Sequence, residues 1–119
     1  MGVGVDLDSF PVWDATALSR IVGDNQATQK RLLDKYLNTA QETVTGMRIS
    51  AAGADWAQAS ELAHKLKSSS RSVGAMRLGA LCEALERQGR IGAADACATL
   101  VPQVLQEFEV VQALVRARG

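Results

Sequence analysis

Apolar residues recur every three or four positions along most of this chain, and this spacing most constrains its fold. Such a period places the apolar side chains on one face of an α-helix, and each helix must bury that face against others. Four long segments show the period, with short turns between them. The predicted core includes Leu33, Leu37, Val44, Leu66, Val73, Leu78, Leu81, Leu85, Leu100, Val104 and Val111.

Turn and capping residues set the predicted boundaries of five helices. We expect Asp14 to cap a short first helix that ends near Val22, and Gly74 to end the third helix in a tight reversal. The fifth helix contains Pro102, which predicts a kink there or a helix that begins only after it. The four long helices are predicted near residues 25–50, 56–73, 75–89 and 93–116, with Asp24 or Asn25 and then Asp55 as N-caps.

The segments together predict an all-α fold, an antiparallel four-helix bundle with a short additional N-terminal helix. The Gly-rich, aperiodic residues 1–13 are predicted to be a flexible lead-in, and residues 14–119 the bundle domain. Aromatic residues make up only 4% of the 119 positions, which favours helices packed through Leu, Val and Ala over a β-sandwich. Cys82 and Cys97 fall on apolar stripes without CxxC spacing and are predicted to be buried free thiols.

Charge and hydropathy exclude several classes of partner. Thirteen basic and thirteen acidic residues balance, so we expect no nucleic-acid binding and no direct membrane contact. The sequence shows no apolar run long enough to span a bilayer and no signal peptide. We therefore expect a cytoplasmic location, either for a free-standing protein or for the cytoplasmic domain of a larger one.

His64 is the single histidine of the chain, and helical geometry directs it away from the core. It lies about 200° around the third helix from Leu66, which belongs to the apolar stripe. An outward histidine is either an ordinary solvated side chain or an accessible nucleophile. Ser60 and Ser68, one turn before and after it, are small enough to let a partner approach.

Charged neighbours favour the second interpretation. Lys67 and Arg71 follow His64 at i+3 and i+7, where their charges would stabilise a phosphoryl group on the ring. If the hairpin reverses at Gly74, Glu86 comes level with His64 on the next helix. Its carboxylate would then accept a hydrogen bond from one ring nitrogen, or it is a surface carboxylate paired with Arg90.

The run AHKLKSSSRSVGAMRLGALCEALE, residues 63–86, resembles the signature of histidine-containing phosphotransfer (HPt) domains, roughly AHxLKGxxxxxGAxxLxxLCxxLE. The segments WDATALSRIVGDN and RLLDKYLNTAQET are also similar to the family, so the resemblance spans nearly the whole chain. One departure is Ser68, where glycine is common in the family. The position of Glu86 is one where members commonly carry glutamine or glutamate.

This resemblance implies a phosphorelay intermediate of two-component signalling. His64 would accept a phosphoryl group from an aspartyl phosphate of a receiver domain and pass it to an aspartate of another receiver. The implied partners are receivers of response regulators or of a hybrid sensor histidine kinase. The chain would be a phosphocarrier rather than an enzyme with its own turnover, with no cofactor of its own, and Mg²⁺ would come with the receiver.

Three other functions compete with this hypothesis. A kinase would require a nucleotide-binding motif, and the sequence contains neither a P-loop nor a glycine-rich ATP lid. Glu61 and His64 form one Glu-x-x-His motif, but a di-iron bundle needs two such motifs facing inward. The alternative that stays open is a helical adaptor or dimerisation bundle that binds signalling partners without carrying phosphate.

Overall fold

A computed structural model of the chain describes residues 4–118, and over this range the regular secondary structure is entirely helical. A 3-10 helix at Leu7–Ser9 precedes five α-helices, which are α1 Thr16–Val22, α2 Gln26–Ala52, α3 Trp56–Val73, α4 Met76–Arg90 and α5 Ala94–Arg118. Helix α3 packs against α2 and α4, and α5 packs against both α4 and α2, so the four long helices close a bundle. The predicted all-α four-helix bundle with a short additional helix is confirmed.

Side-chain caps fix where the long helices begin. The Asn25 carboxamide oxygen accepts a hydrogen bond from the backbone nitrogen of Thr28, and Asp55 does the same for Gln58. Each cap satisfies one of the backbone N–H groups that the first turn of a helix leaves without an intrahelical partner. The structure therefore selects Asn25 over Asp24 as the cap of α2. At the other end of α3, Gly74 adopts a left-handed conformation with φ of 95°.

Helix α5 continues through Pro102 from Ala94 onward, so the alternative of a helix that begins only after the proline is wrong. The proline removes one backbone donor from the helix. Buried residues lie on both sides of it, with Cys97 in the first turns and Val104 just beyond. Burial of this stripe stabilises the helix across the proline, as tertiary packing usually does for helices.

The segment over residues 4–13 is packed against the bundle, which corrects the prediction of a flexible lead-in; the first three residues lie outside the described part of the chain. The indole nitrogen of Trp13 donates a hydrogen bond to the Val73 carbonyl oxygen over 2.9 Å. The backbone nitrogen of Arg77 donates to the Pro11 carbonyl oxygen over 3.0 Å. These bonds pair groups at the end of α3 and the start of α4, which explains why an aperiodic segment is held in place.

Glu107 carries a buried carboxyl group on α5, and its burial affects its pKa. No hydrogen-bond partner for its Oε2 atom occurs among the described residues. Burial raises the pKa of Glu107 from 4.5, and the charge of Arg77 opposes this shift only in part. Because the pKa of Glu107 is raised in the folded state, its contribution to stability is fully present below the unfolded pKa. That contribution is lost as the pH rises through the folded pKa.

We therefore expect Glu107→Gln to increase the free energy of unfolding at pH 7, by about 1 kcal/mol, because an ionised buried carboxylate is removed. Near pH 4, about where carboxyl groups protonate, the two proteins should have similar stabilities. Urea unfolding at both pH values measures the difference. A variant that is less stable than the wild type at pH 7 would show that the Glu107 carboxylate is stabilised rather than strained by its surroundings.

Candidate functional site

His64 lies on α3 with its side chain 56% exposed, whereas Ala63 and Leu66 of the same helix are buried. Its Nδ1 atom is 2.8 Å from Oε2 of Glu86 on α4. The two helices form the hairpin that turns at Gly74, and the structure places Glu86 level with His64 as the hairpin register predicts. One edge of the imidazole thus contacts Glu86, and the rest of the ring remains accessible to a partner.

Glu86 is the centre of the site, with its side chain only 5% exposed. Its Oε1 accepts a hydrogen bond from Lys67 Nζ over 2.7 Å, and its Oε2 lies 2.6 Å from a guanidinium nitrogen of Arg90. Burial acts to raise the pKa of Glu86, but hydrogen bonds from Lys67 and His64, and the charges of Lys67 and Arg90, outweigh it and lower the pKa. The carboxyl group is therefore ionised at neutral pH.

An ionised carboxylate determines which ring nitrogen of His64 carries the proton. A carboxylate can only accept hydrogen bonds, so Nδ1 must be the donor to Glu86. In the neutral ring Nε2 then keeps its lone pair. The contact orients the imidazole and makes Nε2 its nucleophilic atom.

Lys67 and Arg71, the two cations predicted to lie near His64, have different surroundings. Lys67 is only 18% exposed, and its ammonium group bridges α3 to α4 through Glu86. Arg71 instead lies 3.3 Å from Glu83, and a Cβ at Gly79 would be 2.8 Å from the Arg71 Cγ. Arg71 is thus packed over α4 and paired with a second carboxylate, separately from the ion pairs of Glu86.

The two small residues that were predicted to flank His64 on an exposed face also differ. Ser60 is buried, and its hydroxyl donates a hydrogen bond to the Glu86 carbonyl oxygen over 2.8 Å, which corrects the prediction that it is exposed. The physical reason is Gly89, where a Cβ would lie 2.7 Å from the Ser60 Cβ. The helices approach too closely here for Ser60 to face solvent. Ser68 is exposed, and its hydroxyl donates to the His64 carbonyl oxygen over 3.3 Å.

A shallow hollow adjoins the histidine between α3 and α4. Small residues and charged side chains line it. Arg90, predicted only as a surface partner of Glu86, also lines this hollow beside His64. The i+4 spacing from Glu86 was the available signal, since it puts both residues on one face of α4. The hollow is lined by Ala57, Ser60, Glu61, His64, Gly89 and Arg90.

Glu86→Gln tests the charge at the centre of the site. A lowered pKa in the folded state contributes stability above the unfolded value of 4.5, and this is lost as the pH falls through the folded pKa. We expect wild type to exceed the variant in free energy of unfolding at pH 7 by about 1–3 kcal/mol, as for hydrogen bonds to charged groups. Denaturant unfolding from pH 7 to pH 3 should show this difference shrinking. A constant difference would mean that packing, rather than charge, makes Glu86 stabilising.

Comparison with known proteins bears on the fold and the family. The structure of histidine-containing phosphotransfer protein B from Pseudomonas aeruginosa PAO1 superposes with a TM-score of 0.83, covering 91% of this chain and 94% of that one at 24% sequence identity. This similarity shows the fold. Among curated proteins none matches the chain. No helix within residues 4–118 is long and apolar enough to cross a membrane.

The fold and the site define a class of protein, a helical bundle with one exposed imidazole oriented by a buried carboxylate. The family model described as the Hpt domain matches residues 31–114, which is more than half of the chain and includes both His64 and Glu86. The chain belongs to the Hpt domain family. Its class is therefore that of histidine phosphotransfer domains.

Proposed function

We propose that this chain is a phosphorelay intermediate that carries a phosphoryl group on Nε2 of His64. The observation that supports it best is the hydrogen bond from His64 to the ionised, buried Glu86, because it leaves Nε2 as the free nucleophile on an exposed ring. A receiver domain with a phosphorylated aspartate is the donor, and an aspartate of another receiver is the acceptor.

The transfer step follows from this protonation state. The Nε2 lone pair forms a bond to phosphorus while the bond between phosphorus and the aspartyl oxygen breaks, and the aspartate leaves as a carboxylate. The phosphorylated ring gains a positive charge and keeps its proton on Nδ1, where the Glu86 carboxylate stabilises it. No proton has to move during transfer, so the reverse step to a second aspartate uses the same arrangement.

The role proposed for Lys67 is to supply positive charge at this centre. Its ammonium group donates a hydrogen bond to Oε1 of the same carboxylate that orients His64, so it fixes Glu86 and would add positive charge near the transferred group. Mg²⁺ belongs to the acidic pocket of the receiver in this proposal. The chain then acts as a phosphocarrier whose turnover depends on its partners.

The test is incubation with a receiver domain phosphorylated on aspartate, in the presence of Mg²⁺. We expect label on this chain that is lost in acid and stable in base, as a phosphoramidate bond is. Binding of the receiver without any label would contradict the proposal and favour the helical adaptor.

Docking of the receiver should depend on Ser68, which is exposed one turn from His64. Ser68→Trp is expected to block docking by steric exclusion, and because Ser68 does not face the core the bundle should remain folded. Ser68→Gly, the control, should keep transfer and lower the free energy of unfolding by roughly 0.5 kcal/mol through helix propensity. Calorimetric titration with a receiver measures both. Binding of the Trp variant with wild-type affinity would place the docking surface elsewhere.

A further inference from the structure

A groove of about 600 Å³ lies between the start of α2 and the end of α5, lined by residues within 26–37 and 115–118. Its volume is within the range of small-molecule binding sites. Because each long helix packs against the next and α5 packs against α2, the seam between α2 and α5 lies across the bundle from the seam that holds His64. This α2–α5 groove is therefore separate from the site around the histidine.

The lining of the α2–α5 groove combines aliphatic and charged side chains. Leu33, Leu37 and Val115 line it although each is at most 7% exposed, so they form its inner wall. Lys30 and Arg116 also line it and are exposed, so they lie at its outer edge. An aliphatic wall with a few polar groups at the edge is typical of sites that bind small amphipathic molecules.

Three basic side chains line the groove, and they differ in their partners. The guanidinium group of Arg118 donates a hydrogen bond to Oε1 of Gln29 and lies 5.7 Å from the centroid of the Trp13 ring. Within residues 4–118, neither Lys30 nor Arg116 forms an ion pair with an acidic side chain. These two cations are therefore available to a bound anion, while Arg118 is held by the protein.

The contact between Gln29 and Arg118 also sets the register of the two antiparallel helices. It places the first turn of α2 opposite the last turn of α5, so Lys30 and Arg116 lie at the same end of the groove. Two unpaired cations at one end of an aliphatic wall favour a ligand that is negatively charged at one end and apolar along the rest.

The length of the groove limits the length of this ligand. Seven positions separate Lys30 from Leu37, which corresponds to about 10 Å along the helix axis. Asp34, one turn after Lys30, is the one acidic residue among the described residues that line the groove. Its charge disfavours an anion farther along α2, so the negative group should lie beside Lys30 and a short chain should point toward Leu37.

We infer that the α2–α5 groove binds a short-chain aliphatic carboxylate, with its head group on Lys30 and Arg116 and its chain on the aliphatic wall. Carboxylate oxygens accept charge-assisted hydrogen bonds from both cations, and the chain removes apolar surface from water. A neutral chain would leave the two cations without a partner, and a small bare anion would leave the wall in contact with water. The inference is independent of the proposed function.

The experiment titrates the full chain with octanoate, below the concentration at which octanoate forms micelles, and follows the backbone amide signals by nuclear magnetic resonance (NMR). We expect saturable shifts confined to the start of α2 and the end of α5. Octanamide has the same chain without the charge and should bind at least about tenfold more weakly, since charge-assisted hydrogen bonds are lost. Acetate has the charge without the chain and should give no saturable shift.

Four variants locate the site. Lys30→Ala and Arg116→Ala should each weaken octanoate binding roughly tenfold. Lys35→Ala removes an exposed lysine of α2 that does not line the groove, so it is the matched control and should bind as the wild type does. Ala27→Trp should prevent binding by filling the groove, and because Ala27 is exposed the bundle should remain folded, which circular dichroism checks.

Three results would overturn the inference. Equal affinities for octanoate and octanamide would mean that the cations do not hold the head group. Shifts that do not saturate, or that spread over the surface, would mean that octanoate has no defined site. Equal affinities of the Lys30→Ala and Lys35→Ala variants would place the ligand elsewhere on the bundle.

Discussion

Replacing His64 by glutamine is expected to abolish phosphoryl transfer to this chain. The glutamine amide has nearly the shape of the imidazole edge and can still donate a hydrogen bond to Glu86, but its nitrogen has no available lone pair. Because His64 is the single histidine of the chain and its side chain is 56% exposed, the fold should be maintained. We expect the free energy of unfolding to change by at most about 0.5 kcal/mol, as for most surface substitutions.

Transfer of label from a phosphorylated receiver and urea unfolding measure the two quantities. Lys65→Gln, which changes the exposed neighbour of His64 on α3, is the control and should transfer at the wild-type rate. Residual label on the His64→Gln variant would reveal a second phosphorylation site. A large loss of stability would mean that the imidazole has a structural role in the hairpin.

Gly74→Ala should cause the largest loss of stability among the substitutions considered. Gly74 has φ of 95°, a conformation that disfavours any side chain, and a Cβ there would lie 2.1 Å from the Asp14 carbonyl oxygen. The same glycine accepts a 2.7 Å hydrogen bond from the Asp14 backbone nitrogen, so the approach cannot relax without breaking that bond. We expect the free energy of unfolding to fall by about 3 kcal/mol, within the upper range for single substitutions.

Gly92→Ala measures the cost of backbone strain without the steric clash that Gly74→Ala adds. Gly92 also has a positive φ, of 71°, but a Cβ there would meet nothing within 4 Å. It should lower the free energy of unfolding by about 1 kcal/mol, the usual cost of a left-handed conformation for alanine. Thermal or urea unfolding of both variants gives the comparison. Equal losses would show that the contact between Gly74 and Asp14 contributes little to stability.

The bundle was predictable because the apolar period that indicates a helix can be seen within the sequence of each long segment. The residues that the period placed in the core, such as Leu33 and Leu66, are buried, and Asn25 and Asp55 cap where their side-chain chemistry suggests. The packed N-terminal segment was not predictable in this way. Trp13 is anchored to Val73, sixty residues away in sequence, and no local pattern encodes such a contact.

The site was predictable in direction but not in detail. Helical geometry predicts the direction of the His64 side chain. Its distance along the chain from the turn at Gly74 predicts which part of α4 lies opposite, and this leads to Glu86. Neither gives the separation of the two helices. That separation depends on Gly89, whose lack of a side chain lets α4 approach α3 closely enough to bury Ser60.

Partner choice among charged side chains was also beyond the sequence. Arg71 binds Glu83, and Arg90 binds the carboxylate that also binds the imidazole. Long flexible side chains can reach several acidic groups, and the choice depends on rotamers and burial that helical spacing leaves undetermined.

The imidazole and its carboxylate belong to two continuous helices joined by one tight turn, and this has a consequence for signal flow. Phosphoryl transfer to and from the ring, as proposed above, would not require the backbone to rearrange, because continuous helices hold both the imidazole and its carboxylate. We therefore expect the site to permit phosphoryl transfer in both directions. In the proposed relay, the relative amounts and phosphoryl-transfer potentials of the receivers would decide whether the chain delivers phosphate or drains it.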